Sequence, residues 1–191
     1  RSLSSKEIDL LVKWIDNKFP EGKKSNTAAP VVEYTTATKY SRKPDLVLKT
    51  KDSFLVQGDN RERFVIFKIP FELATPQNLE AIEFYTNDHK LIHHANYAVH
   101  EVADTSININ NTDETVNLNI ADRSKVDQYK PYKKVMTYYG GWIPGTSYEY
   151  YPKEFGWVMP KRGVILFTIH FAPTSVDVNS ICGVNLFFKK T

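Results

Sequence analysis

The sequence has a single cysteine, few glycines and no long apolar run, and each scarcity excludes a class of protein. Because Cys182 is the only cysteine among 191 residues, both an intramolecular disulfide and a zinc site built from cysteines are excluded. No stretch reaches the roughly 20 apolar residues that cross a bilayer as a helix, so no membrane span is predicted. The 8 glycines are scattered, and no phosphate-binding loop is found among them.

Charge of either sign is also modest. The formal net charge is +3, and the lysines and acids are interleaved rather than gathered in a basic stripe. This balance gives no indication of nucleic-acid binding. What the chain does have is 11 phenylalanines and 11 tyrosines, a composition that favours a β-rich fold.

The only convincing helix lies within residues 1–22. Ser4 and Glu7 have the spacing of a capping box, in which each side chain satisfies a backbone N–H of the other. Apolar residues between Ile8 and Ile15 then recur at helical spacing. The Pro-Glu-Gly sequence at 20–22 is predicted to end this helix.

Residues 23–43 are small and polar without a clear period, and they are predicted to form a linker. From residue 44 to residue 191 the pattern changes to strands rich in β-branched and aromatic residues. About eight strands with turns between them predict an all-β fold, an antiparallel jelly-roll-like β-sandwich after a short N-terminal helix. The segments predicted as strands are Asp45–Lys49, Phe54–Gln57, Arg63–Phe71, Leu79–Thr86, Leu91–Val102, Thr115–Ile120, Gly163–Ala172 and Ile181–Lys189.

Histidines offer the first candidate site, because imidazole binds copper, zinc, iron and nickel. His93 and His94 are adjacent on a predicted strand, where neighbouring side chains point to opposite faces. Both could reach one ion only if a bulge or a strand end turned the two rings together. His170 lies in an otherwise apolar strand, where a buried polar ring needs a partner.

Other polar and aromatic residues have simpler interpretations. His89 lies in a turn-like segment and is expected to be exposed, and His100 lies about 20 Å along the strand from His94. Cys182, on an apolar strand, is expected to be a buried small residue. Five aromatic residues could line a sugar or peptide groove, although such residues more often pack as core: Tyr148, Tyr150, Tyr151, Phe155 and Trp157.

Two stretches of the chain resemble a known family. His93-His94-Ala95 followed by a strand resembles the His-His ligand pair in the first domain of the copper type II, ascorbate-dependent monooxygenases, the family of peptidylglycine α-hydroxylating monooxygenase. The segment from Gly141 to Phe171 is similar to the part of that domain that ends in the third histidine ligand, and residues 177–189 are similar to its last strand. The resemblance covers roughly residues 44–190 in the same order.

This resemblance implies a domain that binds one copper ion through His93, His94 and His170 and uses it for electron transfer. In the family, a second domain carries the other copper, where oxygen and substrate bind. The resemblance therefore implies an oxidoreductase whose second copper domain is a partner, and this domain alone is expected to hold no catalytic residue. It also implies a bacterial protein located in the periplasm, at the cell surface or outside the cell.

The N-terminal helix has a resemblance of its own. Residues Leu3–Gly22 are similar to the last helix of bacterial c-type cytochrome domains, and no Cys-x-x-Cys-His haem motif is present. This indicates a cytochrome-like domain upstream in a longer protein, with no haem bound by the present chain. Two alternatives use no metal: a jelly-roll module that binds glycan or peptide on its aromatic surface, and a structural domain beside a catalytic neighbour.

Overall fold

The computed structural model describes residues 3–23, 38–120 and 124–190. The chain divides into two compact units, 1–33 and 34–191. Of the predicted linker 23–43, residues 24–37 lie outside the described part of the chain. None of the described helices has the length and hydropathy that a bilayer-spanning segment needs.

Helix α1 (Ser5–Asp16) begins where the sequence predicts and ends earlier. The predicted capping box is confirmed: the Glu7 backbone N–H donates to Ser4 Oγ at 3.3 Å, and the Ser4 backbone N–H donates to Glu7 Oε2 at 2.7 Å. The helix ends at Asp16 rather than at residues 20–22. Its end is set by Lys18 and Phe19, whose positive φ angles of 59° and 56° cannot continue a right-handed helix.

The second unit consists mainly of antiparallel strands. It also contains a four-residue helix, α2 (Ser124–Asp127), and two short 3₁₀ turns, His89–Leu91 and Lys130–Tyr132. The strands are β1 (Leu46–Lys49), β2 (Phe54–Val56), β3 (Arg63–Glu72), β4 (Gln77–Thr86), β5 (Ile92–Glu101), β6 (Thr115–Asn117), β7 (Val135–Trp142), β8 (Tyr148–Tyr150), β9 (Val158–Met159), β10 (Arg162–Phe171), β11 (Val178–Ser180) and β12 (Cys182–Phe188).

These strands form two main sheets. One has the order β1-β12-β4-β8, with β9 also paired to β4, and the other has the order β6-β3-β10-β5-β7. Strands β2 and β11 form a separate pair. All these pairings are antiparallel, which confirms the predicted all-β sandwich with a short N-terminal helix.

The main core lies between the two sheets because alternate residues of each strand face inward. On β10, Ile165, Phe167, Ile169 and Phe171 all join this core, and each is completely buried. The intervening residues of β10 face the other side of the sheet. There a second, smaller apolar cluster includes Leu166, Val164 and two buried tyrosines of the segment that follows β6.

Strand β7 is the main element that the sequence does not predict. Its side chains alternate between exposed and more buried positions only from Tyr138 to Trp142, and most of its residues are exposed or half-buried. It forms because β5 offers a free edge: seven residue pairs join the two strands, from Ala95–Trp142 to Glu101–Val135. At Gly141 the strands approach so closely that a Cβ atom would lie 2.9 Å from the carbonyl oxygen of Ala95.

Candidate metal centre

Three histidines meet on neighbouring strands of the second sheet. His93 and His94 lie at the start of β5, and His170 lies near the end of β10. The strands run antiparallel, and their register places His170 directly opposite His94. Residues far apart in the chain are thereby brought side by side.

A β-bulge allows the adjacent residues His93 and His94 to lie on the same side of the sheet. His94 pairs with His170 and Ile92 pairs with Phe171, so His93 is an extra residue in β5. Ile92 and Ala95 both face the main core, and the two histidines between them are more exposed. The structure therefore contains the irregularity that the sequence requires if both rings are to reach one point.

The three rings, which we call the three-histidine cluster, lie within contact of one another. Their centroids are separated by 5.4 Å for His93–His94, 4.6 Å for His93–His170 and 5.1 Å for His94–His170. The Nδ1 atoms of His93 and His94 are 3.1 Å apart. One ligand nitrogen from each ring lies within 4.8 Å of the other two, so the cluster can hold a metal ion.

Burial differs across the cluster. His93 is exposed, His94 is half-buried and His170 is only 7% exposed. Both ring nitrogens of His170 are buried, and neither has a hydrogen-bond partner among the described residues. A buried polar nitrogen without a partner is costly, and a ligand is one way to satisfy it.

Two residues that sequence reasoning missed hold the His170 ring. The ring of Phe64, opposite His170 on β3, stacks on it with centroids 4.1 Å apart and planes at 15°. Glu62 Oε2 lies 3.4 Å from His170 Nε2, an ion-pair distance without the geometry of a hydrogen bond. No spacing rule reveals either residue, because both reach His170 only through the pairing of β3 with β10.

The surroundings of His94 favour the neutral form of its ring. Burial lowers the pKa of His94 below its usual value of 6.5, and the neighbouring His170 and His93 rings lower this pKa further. A neutral imidazole keeps a lone pair that can bind a metal, whereas a protonated one does not. The His94 ring is thus prepared to act as a ligand at neutral pH.

The other two histidines lie outside the cluster. His100 is on the same face of β5 but is not part of the group, as the sequence predicts. His89 is half-buried rather than exposed, because its ring packs against those of Trp142 at 5.4 Å and Phe84 at 6.4 Å. The turn containing it lies beside the core, which the local sequence does not reveal.

The metal-free protein is expected to lose stability as the pH falls through about 6.5. Burial is the main cause that lowers the pKa values of His89, His94 and His100 in the folded chain. Below pH 6.5 the unfolded chain therefore binds more protons than the folded one, so acidification favours unfolding. Urea unfolding at pH 7.5 and 5.5 should give the lower free energy of unfolding at pH 5.5.

A variant isolates one contribution to this pH dependence. In His100→Asn the difference between the two pH values should be smaller than in the wild type, because one titrating ring is removed. Lys134→Gln removes the charge of an exposed lysine, leaves every imidazole in place and serves as the control. A difference unchanged by His100→Asn would contradict the assignment of His100 as a group buried in its neutral form.

The structure also gives the burial and ring contacts of Cys182 and of the five aromatic residues. Cys182 is 1% exposed, as predicted for a small core residue. Among the described residues, no ring contact joins two of the five aromatic residues proposed as a binding surface. Instead Tyr148 and Tyr150 pack on Tyr40, and Trp157 stacks on Tyr138 at 4.4 Å.

Comparison with known proteins gives no assignment for the chain. No protein-family model matches it, and a search of the curated proteins found no match. The chemistry of the three-histidine cluster therefore has to be inferred from its residues and their geometry.

Proposed function

We propose that His93, His94 and His170 hold one copper ion and that the domain serves in electron transfer. The observation that carries this proposal is the bulge in β5, which brings two adjacent imidazoles to the same side as a third on β10. A bulge of this kind is a local distortion that re-aims side chains, and such distortions are common next to functional sites.

The donor set fits copper. Three imidazoles supply neutral nitrogen ligands, which suit copper among the first-row metals, and copper(II) binds such sites more tightly than zinc or nickel. The unpartnered nitrogens of the buried His170 ring would gain a partner on binding. When bound, copper supplies one-electron chemistry by alternating between Cu(I) and Cu(II).

The protein's own residues orient and shield these ligands. The Phe64 ring covers one face of His170 and fixes the plane of the imidazole. His93 is exposed, so the cluster opens toward solvent on one side and is enclosed on the other. This arrangement allows an electron donor or acceptor to approach along the His93 side.

The family resemblance supports a wider proposal. A first domain of a copper monooxygenase-like protein would work with a second copper domain and, through the resemblance of residues 3–22, with an upstream cytochrome-like domain. Such a protein would act in the bacterial periplasm, at the cell surface or outside the cell. The full-length gene is expected to encode a Cys-x-x-Cys-His haem motif before this chain, and a gene without one would remove the cytochrome part of the proposal.

Copper titration of the metal-free protein tests the proposal. We expect one equivalent to bind with a Cu(II) electron paramagnetic resonance signal that ascorbate removes and an oxidant restores. Zinc should be displaced by Cu(II) in competition. If copper does not bind, or if zinc is retained against an excess of Cu(II), the proposal fails. Binding of a glycan or peptide array by protein that takes up no copper would support the metal-free alternative.

Glu62 is expected to act as a positioning residue for His170. A metal-bound histidine usually donates a hydrogen bond from its other ring N–H to a carboxylate, a backbone carbonyl or water. Removing such a partner typically lowers metal affinity or activity by roughly 10–100-fold. The Glu62 side chain is 56% exposed. The loss of copper affinity in Glu62→Ala is therefore expected near the lower end of this range, about tenfold. Copper affinity measured against a competing chelator gives the comparison.

Glu154→Ala removes an exposed carboxylate from a different part of the fold and is the matched control. It should leave copper affinity unchanged. Equal losses in Glu62→Ala and Glu154→Ala would show that only net charge matters, and Glu62 would then have no positioning role.

A further inference from the structure

A cavity of about 210 Å³ lies on the same face of the sheet as the three-histidine cluster. One end of the cavity is lined by Asn96 on β5 and Thr168 on β10, which pair directly across the two strands. Each lies two residues along its strand from a histidine of the cluster, His94 or His170. Two residues of a strand span about 7 Å, so the cavity is a neighbour of the cluster and not a part of it. Its volume corresponds to about seven water molecules.

The far end of the cavity contains an unsatisfied polar group. His100 lines the cavity, is only 6% exposed, and has a buried Nδ1 atom without a hydrogen-bond partner in the described part of the chain. A buried ring nitrogen of this kind normally has a partner. A ligand in the cavity would supply one.

Charge indicates the sign of that ligand. Among the residues that the structure describes, Lys133 is the only formally charged side chain that lines the cavity, and no carboxylate lines it. Burial and, to a lesser extent, the charge of Lys133 lower the pKa of His100, so its ring is neutral at pH 7. A single cation beside neutral hydrogen-bonding groups favours a monoanion.

The apolar walls of the cavity indicate that the rest of the ligand is apolar. Ala98 and Leu166 form an opposed pair in the middle of the cavity, and Ile66 and the Tyr139 ring add further apolar surface. An inorganic anion would leave this surface in contact with water. An organic acid with a flat or short apolar body would cover it.

We propose that this cavity binds a small organic carboxylate, with the carboxylate at Lys133 and His100 and the apolar body against Leu166 and Ala98. The site is distinct from the metal centre and does not require a bound metal. It places the carboxylate at the end of the cavity remote from the three-histidine cluster, on the same face of the sheet.

Benzoate and benzamide test the proposal, because they share a ring and differ in charge. In metal-free protein followed by ¹H–¹⁵N nuclear magnetic resonance, benzoate should shift the signals of His100 and Thr168. Benzamide should bind roughly fivefold more weakly, since it lacks the charge-assisted contact. Lys133→Gln should weaken benzoate binding by a similar factor and leave benzamide binding unchanged.

Lys134→Gln is the matched control, because Lys134 is the adjacent exposed lysine and does not line the cavity. Equal affinity for benzoate and benzamide, or equal losses in the two lysine variants, would overturn the proposal. So would binding that needs copper and disappears in His170→Ala, because the anion would then be a ligand of the metal. If inorganic phosphate bound in the cavity as tightly as benzoate, the apolar walls would play no part in binding, and the proposal would also be overturned.

Discussion

Replacing His93 by alanine is expected to lower copper affinity by at least about 100-fold without lowering stability. The loss should exceed the roughly 10–100-fold typical of an outer-shell partner, because one of three ligands disappears. Stability should be preserved because the His93 ring is exposed. The measurements are copper affinity against a competing chelator and the free energy of urea unfolding of the metal-free protein.

His170→Ala should abolish the same copper site from the other strand. This ring is buried, so its removal also affects folding, and the exposed His93 provides the cleaner test. His89→Gln removes an imidazole outside the cluster and should retain one equivalent of copper. If His93→Ala binds copper as tightly as His89→Gln, the exposed ring is not a ligand and the proposed copper site is wrong.

Phe167→Ala is expected to lower the free energy of unfolding by about 3–5 kcal/mol. Phe167 is fully buried at the middle of β10, the central strand of its sheet. Its ring lies 5.5 Å from that of Tyr97 on β5 and 6.4 Å from that of Phe84 on β4, in the opposite sheet. Truncation leaves a cavity where the two sheets meet, and urea unfolding of the metal-free protein measures the cost.

Phe155→Ala is the control for this stability prediction. The Phe155 side chain is 70% exposed, so its removal should change the free energy of unfolding by less than about 0.5 kcal/mol. A domain is stabilised by only about 5–15 kcal/mol in total, so the core variant should be clearly separable from the control. Similar values for the two variants would show that the inter-sheet core is not where stability resides.

Much of the fold could be predicted from local patterns. The capping box at Ser4 and the β-branched and aromatic residues of the long strands are short-range signals, and both appear in the structure. Strand β7 was not predicted in this way, because it is mostly exposed or half-buried and two adjacent glycines, Gly140 and Gly141, interrupt its apolar residues. It becomes a strand through the backbone hydrogen bonds that the edge of β5 offers, which is a tertiary effect.

The same division applies to the histidines. Their residue type and the apolar setting of His170 are visible in the sequence, and they are enough to nominate a cluster. The half-buried position of His89 is not visible, since it depends on packing against Phe84 and Trp142. Glu62 and Phe64 likewise reach His170 only because β3 pairs with β10.

By itself, the sequence determined the fold class, the helix start and the three imidazoles that are candidates for a metal. Whether those imidazoles meet was decided by the tertiary structure alone. Side chains alternate along a regular strand, so His93 and His94 would diverge without the extra residue that the pairing of β5 with β10 accommodates. The register of that pairing, set by burial of the alternate residues of β10 in the core, then places His170 beside them.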